Sequence, residues 1–180
     1  MAWRSQTVKH DLAALLGSAR ELIANPREGL PQDVFYFVSE LTPLVNVDLL
    51  IKNKAGHTLL TWRADEFYGP AWHIPGGIIR FKERIEDRIQ KVARSELGCE
   101  VRHSQQPITV LELMHPSRNV RGHFISMLYL CELVTEPAAE RKFNTDRPQA
   151  GDWAWHAGAP SDFLSVQEPF RKYIDDTTGL

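Results

Sequence analysis

Apolar residues recur at helical spacing near the start of the chain. Leu12, Leu15, Leu16, Ala19, Leu22 and Ile23 share one face, which predicts an amphipathic helix over residues 10–24. Asn25-Pro26 ends it, because the residue before a proline avoids the helical region. Residues 26–33, PREGLPQD, read as a linker. The expected division is a helical extension over 1–33 and a main domain over 34–180. The leading helix either packs on that domain or takes part in a contact between two copies.

From residue 45 the period changes to two. Val45, Val47, Leu49 and Ile51 point one way and Asn46, Asp48 and Leu50 the other, as in a strand. Lys54-Ala55-Gly56 is a turn, and TLLTWR over 58–63 returns as the second strand of a hairpin. A loop is expected over 64–75 and a helix over 83–97. Further strands are expected at 108–114, 123–133 and 152–156, then a helical stretch over 160–175 that is interrupted or restarted at Pro169. Strands outnumber helices and are joined partly by hairpins. The fold class is therefore α+β, a mixed sheet with helices packed on it.

Composition narrows the function classes. A chain of 180 residues suits one domain with a sizeable core. Its 21 Lys+Arg against 23 Asp+Glu give a net charge of −2, so no basic nucleic-acid footprint is expected. No stretch approaches the ~20 apolar residues of a membrane helix, and the first residues lack the apolar run of a secretory leader, so none is expected. Cys99 and Cys131 make neither a disulfide framework nor a four-ligand zinc site, and a reducing cytoplasm is the expected compartment.

The chemistry concentrates between residues 72 and 99. Trp72-His73-Ile74-Pro75-Gly76-Gly77 leads toward the central helix, and the two glycines let a ligand approach the backbone. With Ile85 set at zero and about 100° per residue, Ile89, Val92, Ala93 and Leu97 fall on one arc, and Glu96 lies inside it at about 20°. A carboxylate on an apolar face finds a cation, takes a proton or opens into a cleft. Its functional reading is a ligand for Mg²⁺ or Mn²⁺, which favour carboxylate and carbonyl oxygens. Arg63 ends a strand and is a fork for phosphate. Asp48 is placed to contact a sugar hydroxyl or a cation, and Gln149 precedes a strand. For a general base, His73, His115, His123 and His156 lie in or near the expected core segments, and Glu112 is a carboxylate alternative. His115, His123 and Glu112 are the leading choices. Trp153, Trp155 and the run Phe35, Tyr36, Phe37 either stack a nucleobase or fill the core.

Taken together, Gly77, Glu83 five residues later, and Lys91-Val92-Ala93-Arg94-Ser95-Glu96-Leu97-Gly98-Cys99 resemble the 23-residue Nudix box. The flanking strands extend the resemblance over residues 42–175 and imply the α/β/α sandwich of that superfamily. Val92 and Ser95 stand where the usual box carries glutamates, and Lys91 stands where it carries an arginine with a structural pairing role. A box keeping only its last glutamate is similar to that of the GDP-mannose mannosyl hydrolases, as are PLVNVDLLI, LLTWR and WHIPGGI. That resemblance implies a metal held by the Gly76 carbonyl, Glu96 and Gln149, with Arg63 on the diphosphate and Asp48 in the site. It implies substitution at the sugar C1 with C–O cleavage, and a homodimer. The histidine that activates water in those enzymes aligns with Ala150, and a second arginine aligns with Ile78, for which Arg80 is the candidate replacement. The implied activity is Mg²⁺- or Mn²⁺-dependent hydrolysis of a GDP-mannose-like nucleotide sugar to sugar and nucleoside diphosphate. Two alternatives stay open: a pyrophosphohydrolase of a nucleoside diphosphate derivative, and a Nudix-like ligand-binding domain without turnover.

Overall fold

A computed structural model of the chain describes residues 6–177, with side chains from residue 11 onward. Two sheets form the centre. In the larger, β4 (Gly76–Ile78), β1 (Leu44–Ile51), β7 (His123–Leu133) and β5 (Val101–His103) follow one another, and β6 (Thr109–Met114) also pairs with β7. β1 and β7 are parallel, from Leu44 opposite Phe124 to Ile51 opposite Cys131, and the other pairs are antiparallel. The smaller sheet is antiparallel, with β2 (Thr58–Arg63) between β3 (Ala71–His73) and β8 (Trp153–His156). The expected α+β sandwich is the architecture found.

β1 departs from a simple one-sided alternation, because it lies between two cores. Val47, Leu49 and Ile51 pack with Ile89, Val92 and Leu97 of the central helical segment. Leu50, on the opposite face, packs with Leu128, Phe170 and Ile174. Asp48 shares the Leu50 face and is fully buried, as is Ser126 of β7.

The helix expected over 83–97 has two parts. α3 (Ile85–Val92) passes into a π-helical turn, Ala93–Leu97, whose buried residues are those of the sequence-derived arc. Gly98 ends it with φ +67° and donates its N–H to Ala93 and Arg94 carbonyls, a left-handed cap that glycine adopts without strain. Downstream, the stretch around Pro169 is a 3₁₀ segment, Ser165–Phe170, followed by α4 (Arg171–Asp175). Lys52 anchors α4 to the end of β1 by donating to the carbonyls of Ile174 at 3.2 Å and Asp176 at 2.6 Å.

The front of the chain differs more from expectation. α1 spans Gln6–Glu21, and its apolar stripe is not packed on the domain. Leu12, Leu15 and Leu16 are exposed. The linker is shorter than expected, because α2 (Gln32–Leu41) begins inside it. The loop over 64–75 contains β3, whose three residues are too few to show a period. Trp153 is a core residue, with its indole N–H donating to the Ala138 carbonyl at 2.8 Å, which removes it as a base-stacking candidate.

Glu83 fastens the start of the central helix. Its carboxylate, almost fully buried, accepts from Arg88, Lys91 and the Arg80 backbone N–H. Burial alone would raise its pKa, but these donors outweigh it and hold the group at about 2, against an ordinary 4.5. Lys91 therefore makes a pairing contact where the usual box has arginine. The folded state keeps this carboxylate ionised where the unfolded chain protonates it, so its stabilisation is complete above pH 4.5 and is lost as pH falls through about 2. Glu83→Gln is expected to lower stability by about 2 kcal/mol at pH 7. Urea denaturation of both proteins should show the difference shrinking below pH 4.5 and vanishing near pH 2.

Candidate functional site

A cavity of ≈ 430 Å³ opens at the meeting of the two sheets, between the Gly76–Gly77 turn, the end of β2 and the π-helical turn. Asp48, Arg63, Gly76 and Glu96 all line it.

The Gly76 position follows from the ladder. Leu49 N–H donates to the Pro75 carbonyl and Ile79 N–H to the Val45 carbonyl, so the hydrogen-bonded pairs between β1 and β4 are 49 with 75, 47 with 77 and 45 with 79. Gly76, opposite Asp48, falls between them, and its N–H and C=O point away from β1. The N–H reaches the Glu96 carboxylate. A Cβ at Gly76 would lie 2.3 Å from Asp48 Oδ1, so only glycine fits.

Glu96 is carried by the π-helical turn, a widened turn of the kind found at functional sites. Burial pushes its pKa up to about 7, against the Arg63 charge, the Gly76 N–H and the Thr61 hydroxyl. Thr61 Oγ1 is 3.3 Å from Glu96 Oε2 and 3.0 Å from His73 Nε2. His73 Nδ1 lies 2.9 Å from the Ile74 carbonyl, which only accepts, so Nδ1 carries the proton and Nε2 accepts from Thr61. Burial and Arg63 lower the His73 pKa to about 3, so the imidazole is neutral. A protonated Glu96 then donates to Thr61, and an ionised one competes with His73 for the single hydroxyl proton.

Asp48 forms the floor. Its oxygens accept from Ser126, from Asn46 Nδ2 at 2.9 Å and from Gln167 Nε2 at 2.9 Å. Burial nonetheless raises its pKa to about 6. Gln167 also accepts from Ile74 N–H at 2.8 Å, which fixes the turn ahead of Gly76. Sequence reasoning missed Gln167, because it lies 119 residues from Asp48 in a segment without a chemical signature.

At the end of β2, Arg63 pairs with Asp65 at 2.5 Å and lies against the Tyr68 ring. The donor set beside it fits a divalent cation as a partial shell, with one carboxylate and one outward carbonyl. Among the described residues no group of three His, Cys, Asp or Glu converges on a metal position, so phosphate oxygens would have to complete the shell. Val92 is buried in the core, and the Ser95 hydroxyl donates to the Val92 carbonyl at 3.3 Å.

Five expected residues lie elsewhere. Glu112 and His123 pair with each other at 3.0 Å on the face of β6 and β7 opposite Leu113 and Phe124, which are the residues that line the cavity. His115 stacks edge-on against Tyr68, outside the lining. Arg80 is turned toward Gly29 of the front segment and lines a separate cavity there. Gln149 is exposed, and its loop contributes Ala150 and Gly151 to the lining instead. Among the described histidines only His73 lines the cavity. Arg121 lines it without having been anticipated.

Comparison with known proteins places this geometry. The NUDIX domain matches residues 42–165. The low-salt glycan biosynthesis protein Agl8 of Haloferax volcanii is 33% identical over 86 residues, which are 48% of this chain and 54% of that protein. The chain thus spans about half the length of this curated relative. The MutT NUDIX hydrolase of Burkholderia pseudomallei superposes with a TM-score of 0.57 at 22% identity, covering 74% of this chain and 98% of that one. A UDP-X diphosphatase structure gives 0.54 at 17% identity over 92% and 76% of the two chains. An ADP-ribose pyrophosphatase from Streptococcus suis gives 0.52 at 18% over 74% and 87%. At these identities the structures establish the fold alone. The described residues contain no helix long and apolar enough to cross a membrane. With its matched segment spanning the strands, the glycine turn and the helix that together enclose the cavity, the chain belongs to the NUDIX domain family.

Proposed function

We propose that the chain is a divalent-metal-dependent hydrolase of nucleotide-diphosphate sugars that releases the sugar and a nucleoside diphosphate. The observation that carries the reading is the grouping of Glu96, the outward Gly76 carbonyl and Arg63 around one cavity. The site has a single box carboxylate, and Val92 and Ser95 are occupied in packing and local hydrogen bonding. That is a thin site for attack at phosphorus and a sufficient one for stabilising a departing diphosphate. The glycan-related description of the Haloferax volcanii relative agrees with a sugar substrate.

Glu96 and Gly76 would hold Mg²⁺ or Mn²⁺. The bound ion supplies charge neutralisation on the leaving diphosphate. Arg63, aligned by Asp65 and Tyr68, presents its guanidinium to the same group. Asp48 has its oxygens taken up by Ser126, Asn46 and Gln167, so it fixes the glycine turn instead of accepting a proton from water. Trp62, edge-on to Trp72 with centroids 5.2 Å apart, adds an apolar wall.

Incubation with Mg²⁺ and a panel of nucleotide sugars, followed by product identification, is expected to yield free reducing sugar and nucleoside diphosphate. Failure of every nucleotide sugar beside a working control enzyme defeats the reading. Solvent ¹⁸O is expected in the sugar, and its appearance in phosphate would place cleavage at the P–O–P link instead. Glu96→Gln is expected to lower kcat by about 100-fold or more, as for loss of a group that stabilises the transition state. Its melting temperature should be unchanged or higher, because a neutral amide replaces a carboxyl disfavoured by burial. Unchanged turnover in this variant would remove Glu96 from the metal site.

A further inference from the structure

Tyr68 has three guanidinium groups around one ring. Arg118, Arg63 and Arg121 lie 4.5, 5.0 and 5.9 Å from its centroid. Arg63 has Asp65 as its counter-charge. Arg121 forms no salt bridge among the described residues, and its Nε is buried without a hydrogen-bond partner. Nη1 of Arg118 is likewise buried and unpartnered. Arg121 is also 5.2 Å from the Phe67 ring centroid. Such ring contacts return part of the cost of desolvating a cation, but they satisfy none of its N–H donors.

The Arg121 backbone is pinned. It sits at φ +52°, a conformation a non-glycine residue holds only when its surroundings impose it. Its N–H donates to Ser39 Oγ of α2 at 3.1 Å, and its carbonyl accepts from the Tyr68 hydroxyl. Two separate elements thus hold, at the cavity wall and beside a second cation, a guanidinium with no salt bridge among the described residues. Burial and the Arg63 charge work against its protonated form and outweigh Asp65, Tyr68 and Tyr36, which favour it. Arg63 is also the cation that acts on Glu96 and Asp48. Arg63 thus acts on both carboxylates and on Arg121, and all of these groups line one cavity.

We propose that Arg121, together with Arg63, forms an oxyanion subsite of the cavity that takes a second anionic group of the ligand. The identity of the ligand rests on the nucleotide-sugar reading above, whereas the subsite itself rests on the arginines alone. A planar guanidinium matches the paired oxygens of phosphate or carboxylate. The group is either the second phosphate of the diphosphate or a carboxylate on the sugar.

The test is calorimetric titration of the full chain in EDTA at low ionic strength, so that its result does not depend on turnover or metal. With inorganic pyrophosphate, Arg121→Gln is expected to weaken binding roughly tenfold or more, the loss of a charge-assisted pair. Arg121→Lys, which keeps the charge and loses the fork, is expected to fall between it and the unaltered protein. Arg147→Gln, an exposed position, should bind as the unaltered protein does. Without anion, Arg121→Gln should melt no lower than the unaltered protein, since it removes an unpaired cation, whereas a purely structural stacking role would lower the melting temperature. A nucleotide hexose and a nucleotide hexuronate then separate the two sources. Equal losses assign the subsite to phosphate, and a loss confined to the hexuronate assigns it to the sugar carboxylate. The proposal is overturned if the unaltered protein does not bind pyrophosphate, if both Arg121 variants titrate as it does, or if Arg121→Gln melts lower.

Discussion

The buried carboxylate of Asp48 is the constraint around which the site is built. A carboxylate with no exposed surface is unfavourable unless its oxygens are satisfied, and here the donors come from Asn46 of β1, Ser126 of β7 and Gln167 of the 3₁₀ segment. Gln167 in turn bonds the Ile74 backbone. One side chain thereby ties the parallel pair, the glycine turn and the C-terminal segment together. The Gly76 position depends on it directly, because any side chain there would collide with Asp48. Removing the carboxylate would leave Gln167, Ser126 and Asn46 with unmet donors in a closed space.

From that floor the electrostatics rise in steps. Asp48 and Glu96 both lie where burial favours the neutral form, with pKa values raised to about 6 and about 7. Arg63 offsets both and also helps to keep His73 neutral. A cavity lined by two reluctant carboxylates and by guanidiniums is complementary to a ligand with bound cation and phosphate oxygens. The π-helical turn contributes by carrying Glu96 to Thr61 of β2 and the Gly76 N–H of β4, so that one carboxylate touches both sheets.

Glu83 performs a different task with the same chemistry. Its three donors keep it ionised and far from the cavity lining, where it fixes the start of α3. The contrast between Glu83 at about 2 and Glu96 at about 7 sets donors against desolvation: the donors together prevail at Glu83, and burial prevails at Glu96. Among the described residues, the glutamate that fixes α3 has three donors, and the cavity glutamate has only the Thr61 hydroxyl and the Gly76 N–H.

Local pattern was enough for the long strands, for the buried arc of the central helix, and for the recognition that Glu96 sits on an apolar face. These are statements about period, and period is written in neighbouring residues. The same residues carried the family resemblance, and Asp48, Arg63, Gly76 and Glu96 share one cavity. What period could not express was which face of β6 and β7 meets the cavity. A strand presents both faces to its sequence equally, and only packing turned Leu113 and Phe124 inward and Glu112 and His123 outward. Likewise the direction of Arg80, the exposure of α1 and the convergence of Gln167 and Arg121 on residues scores of positions away were settled by tertiary contacts, which bring together groups that no local spacing relates.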